Sequence, residues 1–396
     1  MTRPTLPRRN SKPRLCLLLP SHWSTRMGGA EYQARLILER LIELDLFDLH
    51  YIARDVPEDF TPRGYMLHRI ASGPRMAGSY LPDARRLWRV LNRLQPDILY
   101  QRVGCAYTGV AAFYARTSAT RMVWHVSSDR DVTPAANGHF LRQPLVALDK
   151  LFLEYGVRNA HAVVVQSAEQ RKLLRQHYGR NPAALISNFH PSVAESLAKP
   201  RERVRVCWIA NMKPLKRPEL FVQLAHDLRH LRQVEFLMAG SMMPAHSGGR
   251  ELERRIEELP NLRHLGVLPL SDVNRLLAGS HLLVNTSDFE GFSNAFIQAW
   301  LREVPVMSLN VNPDGAFSGD RYGTCADGSY ARLRAAVERL VQDRELRTAM
   351  GRRAREYAVG TFSIGNIDRL LPVFDPQLET VVTPETPELP VRHASL

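Results

Sequence analysis

Five apolar runs interrupt the first half of the chain without polar alternation: RLCLLLP (14–20), LHYIA (49–53), DILYQ (97–101), RMVWHV (121–126) and HAVVVQ (161–166). A strand with one face in water alternates. Unbroken runs of this length predict strands covered on both faces, which is the condition of a parallel sheet between helix layers. Between the first two, Ala30, Ala34, Ile37, Leu41 and Leu44 fall at helical spacing, which completes a strand–loop–helix–strand unit. The second half repeats the pattern with VRVCWIA (204–210), VEFLMA (234–239), HLLVN (281–285) and VPVMS (304–308), each followed by a polar or glycine-containing loop. The predicted class is α/β, with two doubly wound domains.

With 396 residues, 44% of them hydrophobic, the chain can fill two cores of nearly 200 residues each. The stretch NFHPSVAESLAKPRER (188–203) is charged, holds two prolines and has little to bury, so the linker is expected there. The expected domains are 1–190 and 191–360, followed by a C-terminal helix over 361–375 that returns to the first domain. A Pro-rich tail, 376–396, is expected to be mobile. Cys16, Cys105, Cys207 and Cys325 are far apart and form no Cys-x-x-Cys pair, which argues against a disulfide framework or a thiolate zinc site. No apolar run approaches the roughly 18 residues of a membrane span, and MTRPTLPRRNSKPRL lacks the apolar segment of a signal peptide. A cytoplasmic protein is expected.

The net charge of +13 is unevenly placed. Residues 1–190 hold 27 Lys and Arg against 15 Asp and Glu, whereas residues 191–396 hold 26 against 25. A basic first half favours an anionic partner. Within DARRLWRVLNRLQPD (83–97), Arg85, Arg86, Arg89 and Arg93 form a basic face beside an apolar stripe of Leu87, Val90, Leu91 and Leu94. Either this helix simply packs on its sheet, or it brings the domain to the inner face of an acidic membrane as a peripheral contact. Nucleic acid is not expected, because no binding motif accompanies the charge.

In doubly wound sheets ligands sit beyond the carboxyl ends of the strands, and the notable motifs fall there. Gly28 and Gly29 precede a helix start, where backbone N–H groups suit a phosphate; a turn needed only for chain geometry is the alternative. In NMKPLKRPE, Lys213, Lys216 and Arg217 crowd the loop after strand 204–210. Lys216, on a loop expected to be exposed, is the best placed for phosphate oxygens. In HLLVNTSDFEGFSNAFIQAW, Glu290 sits on a turn after a strand, and Ser293 is the expected N-cap of a helix from 294 to about 302. Gln298 lies five residues beyond that cap, about 7.5 Å along the axis. Glu290 would accept from sugar hydroxyls, the N–H groups around Gly291, Phe292, Ser293 and Asn294 would face a diphosphate, and Gln298 would hold a ribose diol.

These stretches resemble the retaining glycosyltransferases of family 4, which have the GT-B fold of two Rossmann-like domains facing across a cleft. In that family a glutamate, seven intervening residues and a second glutamate follow a strand of the C-terminal domain. Here Glu290 matches the first, and Gln298 replaces the second. WIANMKPLKRPELF resembles the family's diphosphate loop, with Asn211 where arginine is commoner, and GGAE resembles its N-terminal glycine loop. The resemblance implies transfer from a nucleotide diphosphate sugar to a hydroxyl of a glycan or lipid-linked acceptor, with no metal or other cofactor. It gives His125 the role of reaching the donor sugar, against a structural one, and lets Asp314 and Gly315 close over the donor. Asp129 and Asp131 imitate a metal-binding Asp-x-Asp motif that the resemblance speaks against. Two rivals stay open: a nucleotide-sugar epimerase of the same fold, and a non-catalytic glycan-binding protein whose site has decayed at Gln298 and Asn211.

Overall fold

A computed structural model describes residues 12–25, 27–71, 79–134, 144–193, 199–243, 248–290 and 292–381. They divide into two compact units: one runs to Phe189 and resumes at Ile364, and the other spans His190–Ser363.

In the first unit β1 (Arg14–Leu18), β2 (Asp48–Ala53), β3 (Met66–Arg69), β4 (Ile98–Arg102), β5 (Arg121–His125), β6 (Ala162–Val165) and β7 (Ala184–Leu185) make a parallel sheet. Its order is β3-β2-β1-β4-β5-β6-β7. Helices α1 (Gly29–Leu44), α2 (Ala84–Leu94), α3 (Ala106–Thr117), α4 (Pro144–Asn159) and α5 (Ala168–Tyr178) supply the crossovers, except between β2 and β3, which a loop without a helix joins. The five apolar runs became the five inner strands. The two edge strands were not foreseen, because a strand with one neighbour need not be an apolar run: β3 is MLHR with both ends exposed, and β7 is only two residues long. On α2 the apolar stripe is committed to the core through Leu87, Leu91 and Leu94, whereas Arg85, Arg86, Arg89 and Arg93 are all exposed.

In the second unit β8 (Val204–Ile209), β9 (Val234–Ala239), β10 (Leu262–His264), β11 (Leu282–Asn285), β12 (Val306–Ser308) and β13 (Gly323–Cys325) pair in parallel in the order β10-β9-β8-β11-β12-β13. Helices α6 (Pro218–Asp227), α7 (Gly249–Glu257), α8 (Leu270–Ala278), α9 (Asn294–Trp300), α10 (Tyr330–Gln342) and α11 (Arg344–Thr361) surround it. Here too the predicted runs are the inner strands, and the short edges β10 and β13 were missed. The strand order reverses between β8 and β11, so the loops that leave their carboxyl ends lie side by side, as ligand-binding loops do in such sheets. Among the described residues no helix is long and apolar enough to cross a membrane.

The expected helix over 361–375 is not one helix. After α11, Ile364–Leu370 is a 3₁₀ stretch and α12 (Leu371–Phe374) is a single turn, consistent with Gly365 and Pro372 interrupting the run. This segment belongs to the first unit. Asp368 takes both arms of the Arg40 guanidinium, at 2.9 and 2.8 Å, Val373 O accepts from Arg121 Nε at 2.9 Å, and the Phe374 ring meets Phe47 and Tyr100 edge-on. The expected mobile tail begins with another 3₁₀ stretch, Pro376–Val381, and its remainder lies outside the described residues.

Candidate functional site

Glu290 and Lys216 come together. Parallel pairing of β8 with β11 sets their following loops edge to edge, and the Lys216 Nζ lies 2.8 Å from Glu290 Oε1. The same oxygen accepts from Asn285 Nδ2 at 2.7 Å and Ser287 Oγ at 2.6 Å. Burial works to raise the Glu290 carboxyl, but the Lys216 charge and these donors outweigh it and hold the group below its ordinary range. Glu290 is therefore an anion at neutral pH. Its Oε1 is filled by three donors, and Oε2 takes no hydrogen bond from the described residues. Lys216 is not on an exposed loop as expected: its side chain is only 21% exposed, because a counter-charge draws it inward.

The two loops are tied at several further points. Thr286 Oγ1 donates to Lys216 O at 2.7 Å and accepts from the buried Trp208 Nε1 at 2.9 Å. Asp288 N donates to Leu215 O at 3.0 Å, and Asn310 Nδ2 donates to Asp288 O at 2.9 Å. A third loop, after β9, joins them: Met212 N donates to Ser241 O at 2.9 Å, and Ser241 Oγ to Asn211 Oδ1 at 3.1 Å. At Gly240, φ is +143° and an added Cβ would lie 1.7 Å from Ala210 O, so the loops approach this closely only with glycine there. Asn285, Thr286, Ser287 and Ser241 escaped the sequence reading. For the first three the signal was the short polar run NTS at the end of an apolar strand.

The remaining expected residues of this unit are spread around that centre. Ser293 is the N-cap of α9, although its side chain makes no cap bond. The Phe292 side chain is core, with its ring 4.9 Å from that of Phe362. Asn294 Oδ1 meets His190 Nε2 at 3.3 Å. Gln298 is buried, its amide donating to Asn274 Oδ1 of α8 at 3.4 Å, and the hydrogen bonds of Glu290 go to other residues. Lys213 and Asn211 are exposed, as are Asp314 and Gly315, which take left-handed φ values of 50° and 70° in succession. Gly291 lies outside the described residues.

In the first unit, Gly28 is the N-cap of α1, and a Cβ there would meet the Glu31 carboxylate at 2.4 Å; Gly29 opens the helix. His125 has no exposed surface, and its Nδ1 lies 2.8 Å from the Tyr100 hydroxyl. Burial, with Arg102 nearby, pushes its pKa far down, so it is a neutral interior residue that in this form does not reach solvent. Asp131 accepts from the backbone N–H groups of Ser127, Ser128 and Gly104 at 3.1, 3.1 and 3.3 Å, which gives this half of the Asp-x-Asp pair a structural role. A feature not foreseen lies after β1. His22 is enclosed by the rings of Trp23, Phe60, Tyr51 and Tyr65, with centroids 3.9 to 6.4 Å away, and the rings of Trp23, Phe60 and Tyr65 remain partly open to solvent.

The family model for glycosyl transferases group 1 matches residues 203–343, the span that carries Lys216, Glu290 and Gln298, and the model for glycosyltransferase family 4 matches residues 27–191. The chain belongs to this family. Among solved structures, the transferase is similar to a sucrose-phosphate synthase from Thermosynechococcus elongatus, with a TM-score of 0.73 and 17% identity over 93% of this chain and 100% of that one. It is also similar to Anabaena HepE in complex with UDP and glucose, with a TM-score of 0.71 and 17% identity over 91% and 98%. WaaG, a glycosyltransferase involved in lipopolysaccharide biosynthesis, gives a TM-score of 0.71 at 13% identity over 91% and 99%. At these identities the likeness is one of fold, and the fold is GT-B. A search of curated protein sequences finds no match. Membership of the family selects the glycosyltransferase among the three readings the sequence left open.

Proposed function

We propose that the transferase moves a sugar from a nucleotide diphosphate sugar to a hydroxyl of a glycan or glycolipid acceptor, with retention at the anomeric carbon and without a metal ion. The half-filled carboxylate of Glu290 carries this reading. An ionised oxygen that takes no hydrogen bond from the described residues is an acceptor for sugar hydroxyls, and the rigid hold through Oε1 is what orientation of a donor sugar requires. Ion-paired and held by two further donors, Glu290 is poorly suited to attack carbon itself. This favours front-face transfer, in which the leaving phosphate oxygen takes the acceptor's proton. The two remaining protons of the Lys216 ammonium, with Lys213, face the charge that grows on the diphosphate as the bond breaks. Gln298 holds the ribose, and Asp314 and Gly315 close over the donor. On the acceptor side, the partly open rings around His22 offer apolar faces on which a sugar ring can pack.

The test is a thermal-stability screen of nucleotide diphosphate sugars with a chelator present, starting with UDP-glucose because HepE has been captured with it. A ligand at a hundred times its Kd stabilises by about 2.7 kcal/mol. Transfer by the stabilising donor is then followed by NMR, where the anomeric coupling of the product reads the stereochemistry. Stabilisation by none of them rejects the donor class, and an inverted product rejects retention.

A peripheral membrane contact of the first unit is part of the proposal. Trp88, on the same helix as the four exposed arginines, has its ring 5.6 Å from that of the exposed Phe113 on α3, and α4, which packs on α3, exposes Val146, Leu148 and Leu151. Basic and apolar groups together suit an acidic bilayer surface, where each arginine contributes about 1 kcal/mol. Binding to vesicles of acidic phospholipid is expected at low salt, lost at high salt, and weakened at least about tenfold when Arg85, Arg86, Arg89 and Arg93 become glutamine. Equal sedimentation with acidic and neutral vesicles would reject the contact.

A further inference from the structure

The second unit holds a basic cavity at the end of its sheet opposite to Glu290, where the strands begin. It has a volume of about 270 Å³ and is lined by five cations, Lys199, Arg201, Arg203, Arg344 and Arg347, with Glu303 the single carboxylate. Val204 begins β8, His281 immediately precedes β11 and Glu303 lies three residues before β12, so the cavity sits at the amino ends of the strands whose carboxyl ends carry the Lys216 and Glu290 loops. The six residues of β8 separate the two places by roughly 20 Å.

The charge in this cavity is not balanced from within. Glu303 is paired with Arg355, at 3.2 Å from its Nη1. The His281 ring is neutral, because burial lowers it to about 4, and its Nδ1 accepts from the backbone N–H of Arg205 at 3.0 Å. Lys199 donates to Glu303 O at 2.6 Å, and the buried Arg347 donates to Leu340 O and Val341 O, so both cations hydrogen-bond to carbonyl groups rather than to a carboxylate, with Asp343 acting on Arg347 from nearby. Arg201, Arg203 and Arg344 are exposed at the rim, and their side chains make no hydrogen bond or ion pair among the described residues. Burial, partly offset by Glu303 and reinforced by Arg347, presses Lys199 down to about 8, which shows how poorly the cavity supports its own positive charge. Like charges held together by the fold are stabilised by an anion.

We infer that this cavity is a second anion site, which takes a phosphate monoester or diphosphate group independently of the donor sugar. Guanidinium forks at the rim match phosphate oxygens in pairs, and the two inner cations supply charge from a partly desolvated floor. A soluble phosphorylated metabolite and a phospholipid headgroup share this chemistry.

Calorimetric titration with inorganic pyrophosphate and sedimentation with vesicles of phosphatidic acid in phosphatidylcholine separate the two sources. The variant is Arg201→Gln/Arg203→Gln/Arg344→Gln, which alters only exposed side chains without partners, keeps Lys199 and Arg347 in place, and leaves the α2 arginines intact. Lys216→Met runs beside it to mark pyrophosphate bound at the donor loops. Pyrophosphate affinity at least tenfold weaker in the triple variant, with the Lys216→Met protein retaining that component, is the expected result for a soluble ligand. Unchanged pyrophosphate binding with vesicle recovery lost in the triple variant assigns the site to a headgroup. A triple variant that matches the unmodified protein with both probes overturns the inference.

Discussion

Glu290→Gln is expected to lower kcat/KM about a hundredfold, with a smaller loss of stability than Lys216→Met causes, because the Lys216 ammonium left behind is the more exposed partner and keeps the amide oxygen to donate to. The amide has the shape of the carboxylate, and Asn285, Ser287 and Lys216 all donate to one oxygen, so they pin the carbonyl of the new side chain where Oε1 was. The NH₂ group then stands at the open position. A donor sits where the sugar needs an acceptor, and the loss of alignment is worth about 10²-fold. Gln298→Glu is the companion measurement. It keeps an acceptor for the ribose and is expected to lose less than about tenfold. Steady-state kinetics with the donor found by the stability screen decide: an equal loss in both variants would mean that the two side chains do not divide sugar and ribose between them, and activity within about threefold for Glu290→Gln would remove Glu290 from the site.

Which parts of the molecule were legible in the sequence follows from where each lies in the sheets. Inner strands are covered on both faces and flanked on both sides, so they are apolar along most of their length, and all nine of the predicted runs are inner strands. The edges β3, β7, β10 and β13 are two to four residues long and need no such pattern. Glu290 and Lys216 could be singled out because each follows a strand, but their ion pair could not. It depends on β11 pairing with β8, although the two strands are more than seventy residues apart. The same adjacency explains why Lys216 is drawn inward. Gly240 was invisible for a similar reason: its constraint is the carbonyl of Ala210, on a different loop. His125 ends an inner strand, and a position covered on both faces gave no hint whether its ring would meet a ligand or Tyr100.

Replacing Lys216 tests that tertiary pair directly, and stability and turnover are both expected to change. Lys216→Met keeps the bulk of the side chain and removes the charge, which leaves Glu290 as a buried anion whose partners among the described residues are Asn285 and Ser287. Breaking a buried pair from one side costs about 3 kcal/mol at neutral pH. Turnover is expected to fall at least about tenfold, because the cation facing the developing diphosphate charge is gone. The pH dependence identifies the cause. In the unmodified protein Glu290 is held below its ordinary value of 4.5, so its contribution is fully present above that value and is lost as pH falls through the lower, folded-state value. The stability gap between the two proteins is therefore expected to be widest near pH 7 and to narrow in acid, where Glu290 takes up a proton and no longer needs a counter-charge. Lys216→Arg restores charge without the compact ammonium, so it should recover most of the stability but not the turnover. Adding Glu290→Gln to Lys216→Met removes the orphaned anion and should recover stability in a protein that remains inactive. Chemical denaturation at pH 7 and pH 4, run on all four proteins, is sufficient: a gap of the same size at both pH values would show that lost packing, rather than the unpaired carboxylate, is what destabilises the Lys216→Met protein.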